Sequence, residues 1–139
     1  MAVALAYRWD GRRSRLYFQT REGNYNEVSL IEFVRQLRRH FRGEQVILLW
    51  DGLPSHRSRL MQQFLAEQKD WLEVRRLPGY APELNPAEAF WANLKGQELA
   101  NRCEAHVRTV NFAAHLGADR VRRDHHLLFG FLRHAGLEL

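Results

Sequence analysis

The sequence predicts one α/β domain, a mixed sheet flanked by helices, and three observations carry that reading. Alternating apolar residues around a turn signal describe a hairpin near the amino terminus. A continuous apolar run, Gln45 to Trp50, describes a strand buried on both faces. Segments of helical periodicity stand on either side of that run. A chain of 139 residues with 45% hydrophobic side chains is long and apolar enough for a single core.

Val3, Leu5, Tyr7 and Trp9 alternate with smaller or polar residues, Asp10-Gly11 marks a turn, and Leu16 and Phe18 alternate again. After Gly23-Asn24, Asn26 caps a helix whose Leu30, Val34, Leu37 and Phe41 share one face, with Arg35, Arg38, Arg39 and Arg42 largely off it as a solvated face. Gly43 ends it. The buried strand at 45–50 follows, with Asp51 at its carboxyl end. Pro54 and Ser55 open a second helix, roughly 56–69, that turns Leu60, Phe64 and Leu65 inward. A shorter strand, Trp71 to Leu77, comes next. The proline-rich loop 78–86 delivers the chain to a helix starting near Asn85-Pro86. Beyond about 101 a helical extension holds two helices, near 105–116 and 123–134.

A strand-helix-strand unit within one sheet is almost always a right-handed parallel crossover. The second, third and fourth strands are therefore expected to be parallel, with the first antiparallel to them. Ligands on such sheets gather beyond the carboxyl ends of the parallel strands, which is where Asp51 stands.

Composition excludes several classes. No run approaches the ~20 apolar residues of a membrane span. Met1 to Tyr7 lacks a basic leader and meets Arg8 at once, so it reads as a strand of a cytoplasmic protein. Cys103 is the sole cysteine, which rules out an internal disulfide or a paired-cysteine zinc site. Glycine-rich phosphate loops and serine or cysteine nucleophile motifs are missing, which weakens an unrelated phosphate-handling enzyme. The balance of 21 basic to 16 acidic side chains gives +5, nearly all of it from arginine, since only Lys69 and Lys95 are lysines. Guanidinium forks suit phosphate oxygens, so nucleic acid is the expected partner.

Asp51 has a plain alternative role, the Asp-Gly turn with Gly52. Glu88 has one too: in Asn85-Pro86-Ala87-Glu88 it can reach back to the cap's amide as a capping box. Yet both carboxylates fall at element ends expected on the same sheet edge. With no cysteine or histidine between them in the motif, they suit a hard cation such as Mg²⁺ or Mn²⁺. His125, His126 and His134 are weaker metal candidates, because adjacent histidines point to different helix faces.

The runs VILLWDGLPSH (46–56) and LPGYAPELNPAEAFW (77–91), followed by Asn93-Leu94-Lys95, resemble the DDE endonuclease domain of bacterial insertion-sequence transposases related to mariner. The closing FLRHAGL (131–137) resembles this group as well. The resemblance implies a ribonuclease H-like fold, incomplete at the amino terminus. It makes Asp51 the second and Glu88 the third of three carboxylates that hold two Mg²⁺ or Mn²⁺ ions. It also implies DNA contacts for His56, with the neighbouring Arg57, and for Lys95, two helical turns beyond Glu88 on one face. The family's first aspartate lies on a strand before this chain's first strand, and its helix-turn-helix lies further upstream; neither falls within these residues. Asp10 is not its substitute: at the hairpin tip, six residues of ~3.3 Å each away, it is expected roughly 20 Å from the site.

The chain therefore reads, over 1–139, as a single catalytic-domain fragment of a DDE transposase. Its cleavage and strand-transfer activity is expected to be absent in the fragment alone. Its expected partners are DNA and either the upstream half of a split transposase or a second transposase subunit. The alternative is a non-catalytic nucleic-acid- or partner-binding module derived from a transposase. DNA upstream of the start codon distinguishes them: a frame encoding a strand aspartate and a helix-turn-helix favours the split enzyme.

Overall fold

The computed structural model describes residues 1–79, 81–100 and 107–139, so Tyr80 of the proline-rich loop, Cys103 and the expected start of the helical extension at 101 lie outside the described residues. The described chain forms two compact units, residues 1–20 with 82–139, and residues 21–81.

In the first unit, strands β1 (Ala2–Tyr7) and β2 (Ser14–Gln19) pair antiparallel with Val3 opposite Phe18, Leu5 opposite Leu16 and Tyr7 opposite Ser14. Strand alternation puts these six side chains on one face. That face packs with helices α3 (Pro86–Gln97), α4 (Val107–Arg123) and α5 (His125–His134) around Leu16, Phe90, Leu94, Ala114, Ala118, Val121, Leu128 and Phe131. Phe90 is fully buried and its ring lies 5.0 Å from Trp91, 6.0 Å from Phe18 and 6.4 Å from Phe131. Two polar contacts pin the hairpin to α5: the Tyr7 hydroxyl donates to the Leu128 carbonyl (2.8 Å), and Ser14 Oγ meets His125 Nδ1 (2.9 Å). Burial raises the Tyr7 pKa and keeps that donor protonated.

Helix α4 runs to Arg123, past the stop expected near Leu116, because Gly117 serves packing and not termination. A side-chain carbon at Gly117 would sit 2.4 Å from Leu94 Cδ1 and 2.7 Å from the Glu98 carboxyl. Glycine lets α4 approach α3 that closely. Arg120 closes the seam, bonding Glu98 (2.6 Å) and Asn93 (2.7 Å).

The second unit holds α1 (Glu27–His40), β3 (Val46–Trp50), α2 (Arg59–Ala66) and β4 (Leu72–Arg76). A complete capping box starts α1: Asn26 Oδ1 accepts from Ser29 N–H, and Ser29 Oγ accepts from Asn26 N–H. Leu30, Ile31, Phe33, Val34 and Leu37 of α1 are buried, as are Met61 and Phe64 of α2 and Trp71 and Leu72. Leu60 is 46% exposed, not inward as expected. Pro54–His56 form a separate 3₁₀ turn, and Ser58, whose Oγ accepts from Met61 N–H, caps the helix proper and rotates Met61 into the core.

The α/β class stands, but the strands form two small sheets and not one. β3 and β4 are parallel, Val46 opposite Leu72 through Trp50 opposite Arg76, as expected; among the described residues β2 ladders to β1 and not to β3. Periodicity identifies strands, whereas the ladder depends on which edges meet. β3 also departs from burial on both faces: Ile47 and Leu49 are 65% and 47% exposed, while Val46, Leu48 and Trp50 are half-buried. An apolar run reports that each side chain tolerates burial, not that two layers exist to bury it.

Candidate functional site

Asp51 leaves β3 where the ladder ends. The last rung, Leu77 N–H to the Trp50 carbonyl (2.8 Å), fixes the backbone immediately before it. Its side chain then closes a turn, Oδ1 accepting from Leu53 N–H (3.1 Å). The 3₁₀ turn carries the chain back, so that His56 Nδ1 lies 2.7 Å from the same Oδ1 and 3.3 Å from the Asp51 carbonyl. His56 is 9% exposed, with its ring centroid 4.0 Å from that of Trp50. Burial lowers the His56 pKa below its ordinary value, and the Asp51 carboxylate partly opposes the shift. A neutral imidazole with Nδ1 protonated donates to Asp51. Among the described residues Oδ2 of Asp51 has no partner, and the side chain is 38% exposed. Arg57, next along, is exposed.

Glu88 stands in the first turn of α3. The cap there is Asn85, whose Oδ1 accepts from Ala87 N–H (3.1 Å) while its own N–H donates to the Pro82 carbonyl (2.9 Å). The amide that a capping box needs is therefore already bonded, and Glu88 contributes only its backbone N–H, to Asn85 O (2.9 Å). Its carboxylate is exposed and, among the described residues, unpaired. Lys95, two turns along the same helix, is exposed too. Asp51, His56 and Arg57 thus belong to the second unit, Glu88 and Lys95 to the first.

Asp10 is occupied locally, with Oδ2 on Arg8 (3.2 Å) and Oδ1 on Arg12 N–H (3.0 Å). A cavity of about 420 Å³ in the second unit, lined by Arg38, Arg39, Arg42, Gln45, Asp70 and Trp71, lies at the opposite end of β3 from Asp51. Among the described residues, no group of three or more His, Cys, Asp or Glu side chains is placed to hold a metal ion. No described helix is long and apolar enough to cross a membrane.

Residues 9–111 match the sequence profile of the DDE superfamily endonucleases. The chain belongs to that family. The match runs from Trp9 into α4 and includes all five site residues expected from the sequence; the closing 131–137 segment lies outside it. Among solved structures, the catalytic domain of Mos1 mariner transposase superposes with a TM-score of 0.53 at 18% identity, covering 91% of this chain and 69% of that one. The fold of this DDE-family chain is accordingly ribonuclease H-like. No curated protein matches it. DDE superfamily endonucleases generally use divalent metal ions, and transposase domains generally act on DNA. The direct contact of His56 with Asp51 is the feature that sequence reasoning missed: the Asp-x-x-x-x-His spacing of the resembled family linked the two residues, but His56 was expected to contact phosphate.

Proposed function

We propose that this chain is the catalytic-domain fragment of a DDE transposase of a bacterial insertion sequence, one domain over 1–139, serving cytoplasmic DNA transposition by metal-dependent phosphodiester cleavage and strand transfer. The observation that carries this reading is the state of the Asp51 carboxylate: one oxygen is fixed by Leu53 N–H and His56, and the other is open in a chain of the DDE family. Asp51 and Glu88 are exposed hard oxygen donors, which fit Mg²⁺ or Mn²⁺. Held by these carboxylates together with a third, such ions would supply activation of water or of a DNA 3′-hydroxyl and charge stabilisation at the leaving oxygen. His56 holds the Asp51 orientation, and Arg57 and Lys95 meet DNA phosphates.

Two carboxylates are too few to hold two dications, so the 139-residue chain by itself is expected to bind at most one ion and to leave DNA uncut. A segment bearing a further strand aspartate, from an upstream half or a second subunit, completes the enzyme. The test is nicking of supercoiled DNA in Mg²⁺ or Mn²⁺. The chain alone gives none; supplying the upstream segment restores it; Asp51→Ala or Glu88→Ala in the restored protein abolishes it with the circular dichroism spectrum unchanged. Restored cleavage that survives Glu88→Ala removes Glu88 from the site.

A further inference from the structure

The tip of the β1–β2 hairpin holds Trp9 in water. At 81% exposed it is the most exposed large hydrophobic side chain among the described residues. The turn beneath it is tied down: Arg8 N–H donates to the Arg13 carbonyl (2.9 Å), Gly11 N–H to the Arg8 carbonyl (3.0 Å), and Asp10 bonds both Arg12 N–H and the Arg8 guanidinium. Gly11 takes φ +69°, which a side chain would strain. Below the turn, Tyr7 and Ser14 anchor both strands to α5. The side chains of Arg12 and Arg13 are exposed and, among the described residues, have no partner.

An exposed indole on a braced turn that also carries two exposed, unpaired arginines offers the groups an unpaired nucleotide uses, an aromatic face for the base and cations for the flanking phosphates. Other occupants use only half of this surface. An acidic peptide would satisfy the arginines and leave the indole idle. A hydrophobic protein face would cover the indole and bury Arg12 and Arg13 without counter-charge. A paired base keeps its faces stacked inside the duplex. We propose that the hairpin tip, Trp9 with Arg12 and Arg13, is a binding site for single-stranded DNA. The proposal rests on DNA being the partner but not on the metal chemistry of Asp51 and Glu88.

The test is fluorescence anisotropy with the full chain and a labelled oligothymidine of about 12 nucleotides, within the site size of such platforms, beside a duplex of equal length over a salt series. Trp9→Ala is expected to weaken single-strand binding roughly 5- to 150-fold, the stacking contribution of one base. Trp9→Phe should fall between, and duplex binding should stay unchanged. Arg12→Gln with Arg13→Gln should reduce the single-strand salt slope by about 1.4, two contacts at ~0.7 each. Because Trp9 packs on little, circular dichroism should show every variant folded. Single-strand binding that is indifferent to Trp9→Ala overturns this proposal alone. Equal weakening on single strand and duplex makes the tip a duplex contact and overturns it. A shift from dimer to monomer in sedimentation on Trp9→Ala shows a protein contact and does the same. No binding of either DNA at low salt removes the DNA partner altogether, and with it the proposed function.

Discussion

At Asp51, the neighbours decide which carboxylate oxygen is available. Oδ1 takes the Leu53 amide and the His56 ring nitrogen, so rotation about the side chain would break two contacts at once and Oδ2 keeps one direction. Partners that orient a metal ligand are typically worth 10- to 100-fold in affinity. Replacing His56 by Ala is therefore expected to weaken Mn²⁺ binding about tenfold or more, measured by calorimetric titration of the protein with its completing segment. His56→Asn should retain part of it through its amide. Unchanged affinity in both variants would leave His56 a packing partner of Trp50 and nothing more. The places of Asp51 just after β3 and of Glu88 in the first turn of α3 were legible, because the apolar run and the Asn-Pro helix start mark those element ends locally. The His56 contact was not, since it depends on where a proline turn folds back.

Between elements, the α3–α4 seam shows why a helix expected to stop near Leu116 continues through Gly117. Gly117 falls where a helix stop is expected, and in isolation glycine weakens a helix by about 1 kcal/mol relative to alanine. Replacing it by Ala would recover that amount only if the added carbon had room. Leu94 is 1% exposed and cannot yield, and the Glu98 carboxylate is held by Arg120. Overpacking of this kind costs about 1–3 kcal/mol, so Gly117→Ala is expected to lower stability in urea denaturation. A stabilised variant would show that the seam opens freely. The hairpin and its Asp10-Gly11 turn, the α1 cap and the Asn85-Pro86 start were all readable, because turn pairs and capping residues act locally. The reach of α4, the Ser58 cap in place of Ser55, and the single covered face of β3 were not. Each is decided by a neighbouring element's surface and not by the segment's own pattern.

Across the whole molecule, a charge of +5 carried by arginines predicts DNA affinity governed by phosphate contacts. Binding to duplexes of arbitrary sequence should fall steeply between low and moderate salt and differ little between sequences, since phosphate contacts position without specifying. A strong preference for one sequence at constant salt would contradict this. The bare side of β3 has a different consequence, for the fate of the chain outside its folded state. Val46 to Trp50 contains no charge, proline or glycine, its sheet among the described residues has two strands, and Ile47 and Leu49 are exposed. A segment of that composition on an unguarded strand is a template for intermolecular stacking. Overproduced chain should therefore partition into inclusion bodies through this strand. A gatekeeping charge, Leu49→Lys, should shift it to the soluble fraction while leaving the spectrum of the soluble protein intact. If the insoluble share does not change, the aggregating segment lies elsewhere.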